Sequence, residues 1–207
     1  MQIAEYGNKY APVVLVQPVD DHDLAYIDNE ISYIRNNTDI DFRLITVKVN
    51  SWNTDLSPWK APAVFGREDF GGGAAAFLEQ ILELCNDSSK TYIIGGYSLA
   101  GLFALWASCQ TDVFRGVAAA SPSVWFPGFT DYMQEQPVKS RYVYLSLGNK
   151  EEKTRNPVMA TVGDRIRTAY GYLKTQTEDC ILEWNEGNHF KDADLRTARA
   201  FLWVMKH

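Results

Sequence analysis

The stretch Thr91-Tyr-Ile-Ile-Gly-Gly-Tyr-Ser-Leu-Ala-Gly-Leu-Phe-Ala-Leu-Trp-Ala107 decides the fold of this chain. Its first four residues form a short apolar run that predicts a buried strand. Two glycines and Ser98 follow, and the apolar residues from Leu99 to Ala107 have helical character. The stretch therefore predicts a strand, a sharp turn with a hydroxyl at its apex, and a helix.

Small residues flank Ser98 on both sides, as a strained strand-to-helix turn requires. In such a turn, the nucleophile elbow, the residues two before and two after the serine must be small because strand and helix come close together. Here they are Gly96 and Ala100, with Gly101 next. The free N–H groups at the start of the helix would face any oxyanion formed at Ser98. The alternative is an ordinary glycine-rich connection in which Ser98 only caps the helix.

Outside this stretch, strand patterns alternate with helical patterns along the chain. Apolar runs predict five further strands, at residues 12–16, 42–49, 117–120, 142–147 and 180–184. Apolar residues at helical spacing predict further helices at 24–36, 77–85, 156–173 and 195–205, the third of them capped by Asn156 with Pro157 in its first position. No repeat or linker interrupts the alternation. We therefore predict a single doubly wound α/β domain over residues 1–207, with a mostly parallel sheet of about six strands and helices on both faces.

Composition and charge exclude several classes of function. The 207 residues carry a formal net charge of −6, which argues against a nucleic-acid-binding surface. The N-terminus does not resemble a signal peptide, and no apolar run is long enough to span a membrane. Cys85, Cys109 and Cys180 are widely spaced in apolar segments, so we predict buried, reduced thiols in a cytoplasmic protein.

Three loops that follow predicted strands contain residues suited to nucleophilic catalysis. Ser98 follows the third strand, Glu151 and Glu152 follow the fifth, and His189 follows the sixth. Active groups gather at the carboxyl ends of parallel strands. A serine needs a histidine to take its proton and a carboxylate to hold that histidine. Spacing alone does not choose between the two glutamates, but the order Ser, acid, His is that of α/β-hydrolases.

An oxyanion hole requires two backbone N–H donors near the serine. One is expected from Leu99, directly after the candidate nucleophile, and the other from the loop after the first strand. Pro18 has no N–H, so Val19 is the predicted second donor and Asp20 is the alternative.

Two aromatic loops are expected beside these groups. The connection at residues 50–70 is too long for a plain turn and too aromatic for a solvated linker, and residues 121–127 form a second aromatic loop. We predict that their aromatic side chains line a substrate pocket: Trp52, Trp59, Trp125 and Phe126. For each of them, plain packing within the loop is the alternative.

Metal and phosphate sites are not favoured by the sequence. The run Gly71-Gly-Gly73 follows no predicted strand and lacks the Gly-Lys-Ser/Thr ending of a phosphate-binding loop. The acidic loop at residues 20–23 has no second cluster at ligand spacing, so a solvated loop is the favoured interpretation and no metal site is predicted.

The chain resembles the esterase family of α/β-hydrolases that includes esterase D, the feruloyl esterases and the enterochelin esterases. The resemblance spans nearly the whole chain and rests on four motifs: Gly96-Tyr-Ser-Leu-Ala-Gly101, Ser121-Pro-Ser-Val-Trp125, Leu147-Gly148-x-x-Glu151 and Gly187-Asn-His189. It implies hydrolysis of a carboxylic ester through an acyl-serine, without a cofactor. It implies Ser98 as nucleophile and His189 as base, and it favours Glu151 as the acid because of its position three residues past Gly148.

The sequence departs from the family at two positions, since Ala100 replaces a glycine and Glu151 replaces an aspartate in many relatives. Some relatives use only a serine–histidine dyad, so the role of Glu151 stays open. Without an inserted lid domain, the expected partner is a small soluble ester or thioester, and the oligomeric state is not indicated. A catalytically silent ligand-binding module and an acyltransferase are the alternative functions.

Overall fold

The structure is a computed structural model that describes residues 1–207, and a seven-stranded sheet forms its centre. Its strands are β1 (Gln2–Gly7), β2 (Val13–Val19), β3 (Phe42–Lys48), β6 (Thr91–Tyr97), β7 (Phe114–Ala120), β8 (Tyr142–Gly148) and β9 (Asp179–Asn185). Their order across the sheet is β1-β3-β2-β6-β7-β8-β9. The two strands missing from this numbering, β4 (Lys60–Ala61) and β5 (Phe70–Gly71), form a separate two-stranded sheet. The six predicted strands are confirmed, and they run parallel to one another.

Strand β1 was not predicted. It pairs antiparallel with β3 at the edge of the sheet, from Gln2 opposite Lys48 to Gly7 opposite Arg43. None of its residues is fully buried. An edge strand of this kind needs no continuous apolar run, so the pattern that revealed the other strands is absent here.

Helices cover both faces of the sheet, as predicted. They are α1 (Asp21–Ala25), α2 (Ile27–Asn36), α3 (Trp52–Asp55), α4 (Ala74–Leu82), α5 (Leu99–Gln110), α6 (Phe129–Glu135), α7 (Val162–Gln176) and α8 (Ala193–Met205). On one face, α2 and α8 enclose an apolar cluster of 16 buried residues. On the other face, α4 to α7 enclose a larger cluster of 41 buried residues. No helix of the chain combines the length and the apolar character needed to cross a membrane.

Two predicted helix boundaries were wrong. The helix expected to begin at Asn156 begins at Val162. Asn156 Oδ1 instead accepts hydrogen bonds from the amides of Val158 and Met159 at 3.0 and 3.2 Å, in a turn that leads into the 3₁₀ turn Met159–Thr161. The helix expected over residues 24–36 is divided into α1 and α2 at Tyr26, whose backbone is not helical (φ −116°, ψ 6°).

The three cysteines are buried and unpaired, as predicted. Burial raises the pKa of the Cys109 thiol to about 11 and the pKa values of Cys85 and Cys180 to about 12. Since the thiolate is the reactive form, these side chains are chemically inert in the folded protein.

Candidate active site

Ser98 lies at the apex of a strained turn between β6 and α5. Its backbone has φ 57° and ψ −118°, in a region that residues other than glycine seldom adopt. The turn is held by backbone bonds to the neighbouring strand and loop: the Ser98 amide donates to the Ala120 carbonyl at 3.1 Å, and the Ser123 amide donates to the Ser98 carbonyl at 3.0 Å. The surrounding fold therefore fixes the position of the Ser98 hydroxyl.

The small residues around Ser98 are required by close contacts between the strand and the helix. A β-carbon added to Gly96 would lie 2.7 Å from the β-carbon of Ala100, and one added to Gly101 would lie 3.0 Å from the Gly96 carbonyl oxygen. Ala100 is tolerated because Gly96 leaves space for its methyl group. The departure from the usual second glycine thus fits the turn.

The structure brings Ser98, His189 and Glu151 into one hydrogen-bonded line. Ser98 Oγ lies 3.0 Å from His189 Nε2, and His189 Nδ1 lies 2.7 Å from Glu151 Oε2. When its proton is on Nδ1, His189 donates to the carboxylate and its Nε2 can accept the serine proton. Glu152, the alternative acid, lies instead at the surface, where its Oε2 is 3.4 Å from Arg167 Nη1.

The Glu151 carboxylate is almost completely buried, with 4% of its side chain exposed. Its second oxygen, Oε1, accepts hydrogen bonds from the Gly148 amide at 2.7 Å, the Ser121 hydroxyl at 2.8 Å and Arg196 Nη2 at 2.7 Å. Burial alone would raise the pKa of Glu151, but the hydrogen bonds and charges of His189 and Arg196 outweigh that effect and hold it below its ordinary value. Glu151 is therefore a carboxylate at neutral pH.

Arg196 is the main residue that sequence reasoning missed at this site. It lies on α8, with 1% of its side chain exposed. Arg196 precedes the buried Ala200 by four residues and shares its helix face, but an alanine alone does not mark a buried face in the sequence. A charge on a buried face requires a buried partner, which here is Glu151. Ser123, whose Oγ lies 3.2 Å from Ser98 Oγ, was also missed.

The two predicted oxyanion donors, Leu99 and Val19, lie on a helix and on a strand respectively. Leu99 is the first residue of α5, where backbone N–H groups have no partner within the helix. Val19 is the last residue of β2, but its carbonyl accepts from the Val49 amide at 2.9 Å, so its backbone faces β3 and its N–H points away from Ser98. The alternative, Asp20, uses its amide to donate to Asp23 Oδ2 at 3.2 Å in a capping box.

Only one of the four predicted pocket aromatics lines the cavity beside His189. This cavity of about 230 Å³ is bordered by Trp125, Glu151, His189 and Phe190, the last of which is 88% exposed. Trp52 lines a different surface cavity, together with residues of the Asp20–Asp21 loop.

The remaining two aromatics pack within the loops instead. Phe126 is fully buried against Trp59 and Phe70, with ring centres 5.5 and 5.0 Å apart. Trp59 also donates its indole N–H to the Pro127 carbonyl at 3.0 Å. The alternative that the sequence left open, loop packing, therefore describes the contacts of both side chains.

Comparison with models of protein families gave no match, and comparison with curated protein sequences gave none either. Solved structures do match. An IroE-like serine hydrolase from Shewanella oneidensis has a TM-score of 0.77 at 15% identity, over 99% of this chain and 75% of its own. The siderophore hydrolase EstA from Aspergillus nidulans has a TM-score of 0.72 at 17% identity, over 97% and 85%. An enterobactin esterase from Shigella flexneri has a TM-score of 0.66 at 14% identity, over 99% of this chain and 56% of its own.

This chain has the α/β-hydrolase fold. Its parallel strands, the helices on both faces and the strained turn before α5 all agree with that class. Within the class, the solved structures that it resembles carry the names of serine hydrolases and esterases. At identities of 14 to 17%, this likeness establishes the fold, and the chemistry has to be argued from the site itself.

Proposed function

We propose that this protein is a serine hydrolase that cleaves a small carboxylic ester or thioester. The observation that carries the proposal is the line of hydrogen bonds from Ser98 Oγ through His189 to the buried Glu151, at 3.0 and 2.7 Å. This arrangement of nucleophile, base and orienting acid is the one that activates a serine for nucleophilic catalysis. The names of the similar solved structures support the same chemistry.

In the first half of the proposed reaction, an acyl group is transferred to the serine. His189 Nε2 takes the proton from Ser98 Oγ while Oγ forms a bond to the carbonyl carbon of the ester. The negative charge moves to the carbonyl oxygen, where the N–H group of Leu99 is the proposed donor. The tetrahedral intermediate then breaks its bond to the leaving alcohol or thiol, which receives the proton from His189.

In the second half, water releases the acid and restores the enzyme. His189 takes a proton from the water as its oxygen attacks the acyl carbon, and the intermediate breaks its bond to Ser98 Oγ, which regains the proton from His189. Glu151 keeps the imidazole in the required tautomer and stabilises its charged form in both halves. The bonds made and broken need no cofactor or metal ion.

The cavity beside His189 is the proposed substrate pocket, with Trp125 and Phe190 as its apolar walls. Within this proposal, Trp52, Trp59 and Phe126 support the loops around it. A cytoplasmic location is part of the proposal as well, because three unpaired buried cysteines suit a reducing compartment.

A fluorophosphonate probe read by intact mass tests the proposal, because this reagent reacts with activated serines. We expect one adduct on the wild-type protein, none on Ser98→Ala, and strongly slowed labelling of His189→Ala. Ser123→Ala is the matched control, since its hydroxyl lies only 3.2 Å from that of Ser98, and it should still be labelled. The absence of an adduct on well-folded wild-type protein would contradict the proposal and favour a ligand-binding module.

Turnover then separates a hydrolase from an acyltransferase. The assay supplies a p-nitrophenyl ester with and without an added alcohol or thiol acceptor, and the products are identified by mass. A hydrolase releases free acid in both cases. Transfer to the acceptor as the main product would assign the same acyl-serine to an acyltransferase instead.

A further inference from the structure

Arg196 connects three parts of the candidate site. Its Nη2 donates to Glu151 Oε1 at 2.7 Å and also to the hydroxyl of Ser121. Its Nη1 donates to the hydroxyl of Tyr97 at 2.7 Å and to the carbonyl of Asn188 at 3.3 Å. One buried guanidinium thereby contacts the candidate acid, the residue before the nucleophile and the loop that carries the base.

These contacts restrict the orientation of the carboxylate. Oε1 of Glu151 receives donors from Gly148, Ser121 and Arg196, so that Oε2 remains for His189 Nδ1. The carboxyl group cannot rotate without breaking the bond to Arg196. A guanidinium has a planar set of donors that can hold two partners in fixed directions, which a lysine ammonium cannot reproduce.

The second nitrogen of Arg196 holds the histidine loop. The Tyr97 hydroxyl, which accepts from Arg196, donates in turn to the His189 carbonyl at 2.8 Å. Arg196 also contacts the carbonyl of Asn188, the residue directly before His189. The backbone on both sides of the imidazole is therefore tied to the same side chain that holds the acid.

Arg196 also places a positive charge beside the Glu151 carboxylate, with Nη2 2.7 Å from Oε1. A buried Glu151 carboxylate without a neighbouring cation would strongly favour an imidazolium, and an imidazolium cannot accept the serine proton. Arg196 offsets that carboxylate charge. The other titratable groups near His189 are Tyr97, with its ring centre 5.1 Å from the imidazole, Lys150 and Lys153, which line the same cavity, and Glu186, Lys191 and Asp192, which are its neighbours in the chain.

We propose that Arg196 is a positioning residue of this site, which acts through Glu151 and Tyr97 to aim His189 at Ser98. The inference rests on the proposed function, because it assigns a purpose to a contact of the proposed acid. It predicts an effect on the pH dependence of the reaction, which a merely structural arginine would not have.

The test measures the rate of fluorophosphonate labelling and kcat/KM for p-nitrophenyl acetate between pH 5 and 9. For Arg196→Met we expect both rates to fall by about 10- to 100-fold, as for other residues that orient a reacting group. The acid limb, which is the part of the pH profile where the rate falls as the pH is lowered, should move upward by about one pH unit. Arg196→Lys keeps the positive charge but loses the planar pair of N–H donors, so its acid limb should stay at the wild-type pH while its rate falls. The matched control is Arg199→Met, which removes an arginine from the same helix that contacts Asn185 at 3.1 Å and the Tyr33 ring, neither of them a residue of the candidate site, and should leave both quantities unchanged.

A double-mutant cycle with Glu151→Gln shows whether Arg196 acts through Glu151. In the Glu151→Gln background, Arg196→Met should lower the rate by no more than about threefold, because the group that it positions is already altered. Equal losses in both backgrounds, or a lowered rate with an unmoved acid limb, would overturn the inference. If Arg196→Met does not fold, Arg196→Lys takes its place in the cycle, and an equal loss of rate in both backgrounds has the same meaning.

Failure of this inference differs from failure of the proposed function. If wild-type protein is neither labelled nor active, the proposed function is wrong. If the wild type is labelled on Ser98 while Arg196→Met behaves like Arg199→Met, the hydrolase stands and only the role of Arg196 is refuted.

Discussion

The buried carboxyl group of Glu30 should make the stability of this protein depend on pH. Glu30 lies on α2 with only 3% of its surface exposed, and it accepts one hydrogen bond, from Gln17 Nε2 at 3.2 Å. Burial raises its pKa from 4.5 to about 8, while the bond from Gln17 opposes this and the charges of Asp23 and Asp194 add to it. The folded protein therefore holds a proton on Glu30 at pH values where the unfolded chain has lost it.

The sign and size of the effect follow from these two pKa values. Because the folded state binds more protons between pH 4.5 and 8, the free energy of unfolding falls as the pH rises through this interval. Between pH 5 and pH 7.5 the loss from this one group is about 3 kcal/mol. Glu30→Gln has the same shape and stays uncharged, so it should stabilise the protein by about 3 to 4 kcal/mol at pH 7.5 and by about 1 kcal/mol or less at pH 5.

Equilibrium unfolding in urea, followed by tryptophan fluorescence at both pH values, measures these differences. Asp23, whose pKa burial and the charge of Asp20 raise to about 6, changes stability in the same direction but is present in both proteins. The difference between wild type and Glu30→Gln therefore isolates Glu30. Glu79→Gln, at an exposed position of α4, is the matched control and should change nothing. Equal pH dependence of wild type and Glu30→Gln would refute the reasoning.

Three further predictions concern the turn, the base and the pocket. Gly96→Ala should destabilise the protein by about 1 to 3 kcal/mol and reduce labelling of the serine at least about tenfold, because the new β-carbon would lie 2.7 Å from that of Ala100. Thermal melts and the labelling assay measure these effects. The control Gly171→Ala, whose β-carbon would have no neighbour within 4 Å, should neither destabilise the protein nor reduce labelling. If His189 is the base, kcat/KM should fall on the acid side of the profile as the imidazole is protonated, and a flat profile from pH 5 to 9 would contradict that role. Trp125→Ala should raise KM for aromatic esters more than Trp52→Ala does, since only Trp125 lines the cavity beside the imidazole.

The sequence was most informative where local pattern and global fold agree. The run from Thr91 to Ala107 contains a buried strand, a glycine-rich turn and an apolar helix, each visible from local residue types. The choice between Glu151 and Glu152 could not be made in this way. Both lie in the 3₁₀ turn Glu151–Lys153, where each residue is rotated by about 120° from the previous one, so one faces the core and its neighbour faces solvent.

Other parts of the site depend on contacts between distant segments. Trp59 packs against Phe126, on the loop that follows β7, and against Phe129, the first residue of α6, and no spacing within the sequence indicates that these rings meet. The bond between Arg196 and Glu151 joins residues 45 positions apart. Residue types therefore predicted the candidate nucleophile and base, whereas the contact between Arg196 and the candidate acid became visible only with the packing of α8.

The inertness of the three cysteines makes the histidine loop accessible to selective labelling. The native thiols have pKa values of about 11 to 12, whereas a cysteine introduced at an exposed position has one near about 8.5. Phe190 is 88% exposed and directly follows His189 in the chain. In Phe190→Cys, the fraction of the new thiol that is ionised at pH 8 would be about hundreds to thousands of times the fraction of the native thiols. This ratio follows from the difference between the pKa values. A fluorophore or spin label could then report the motion of this loop with all native cysteines in place.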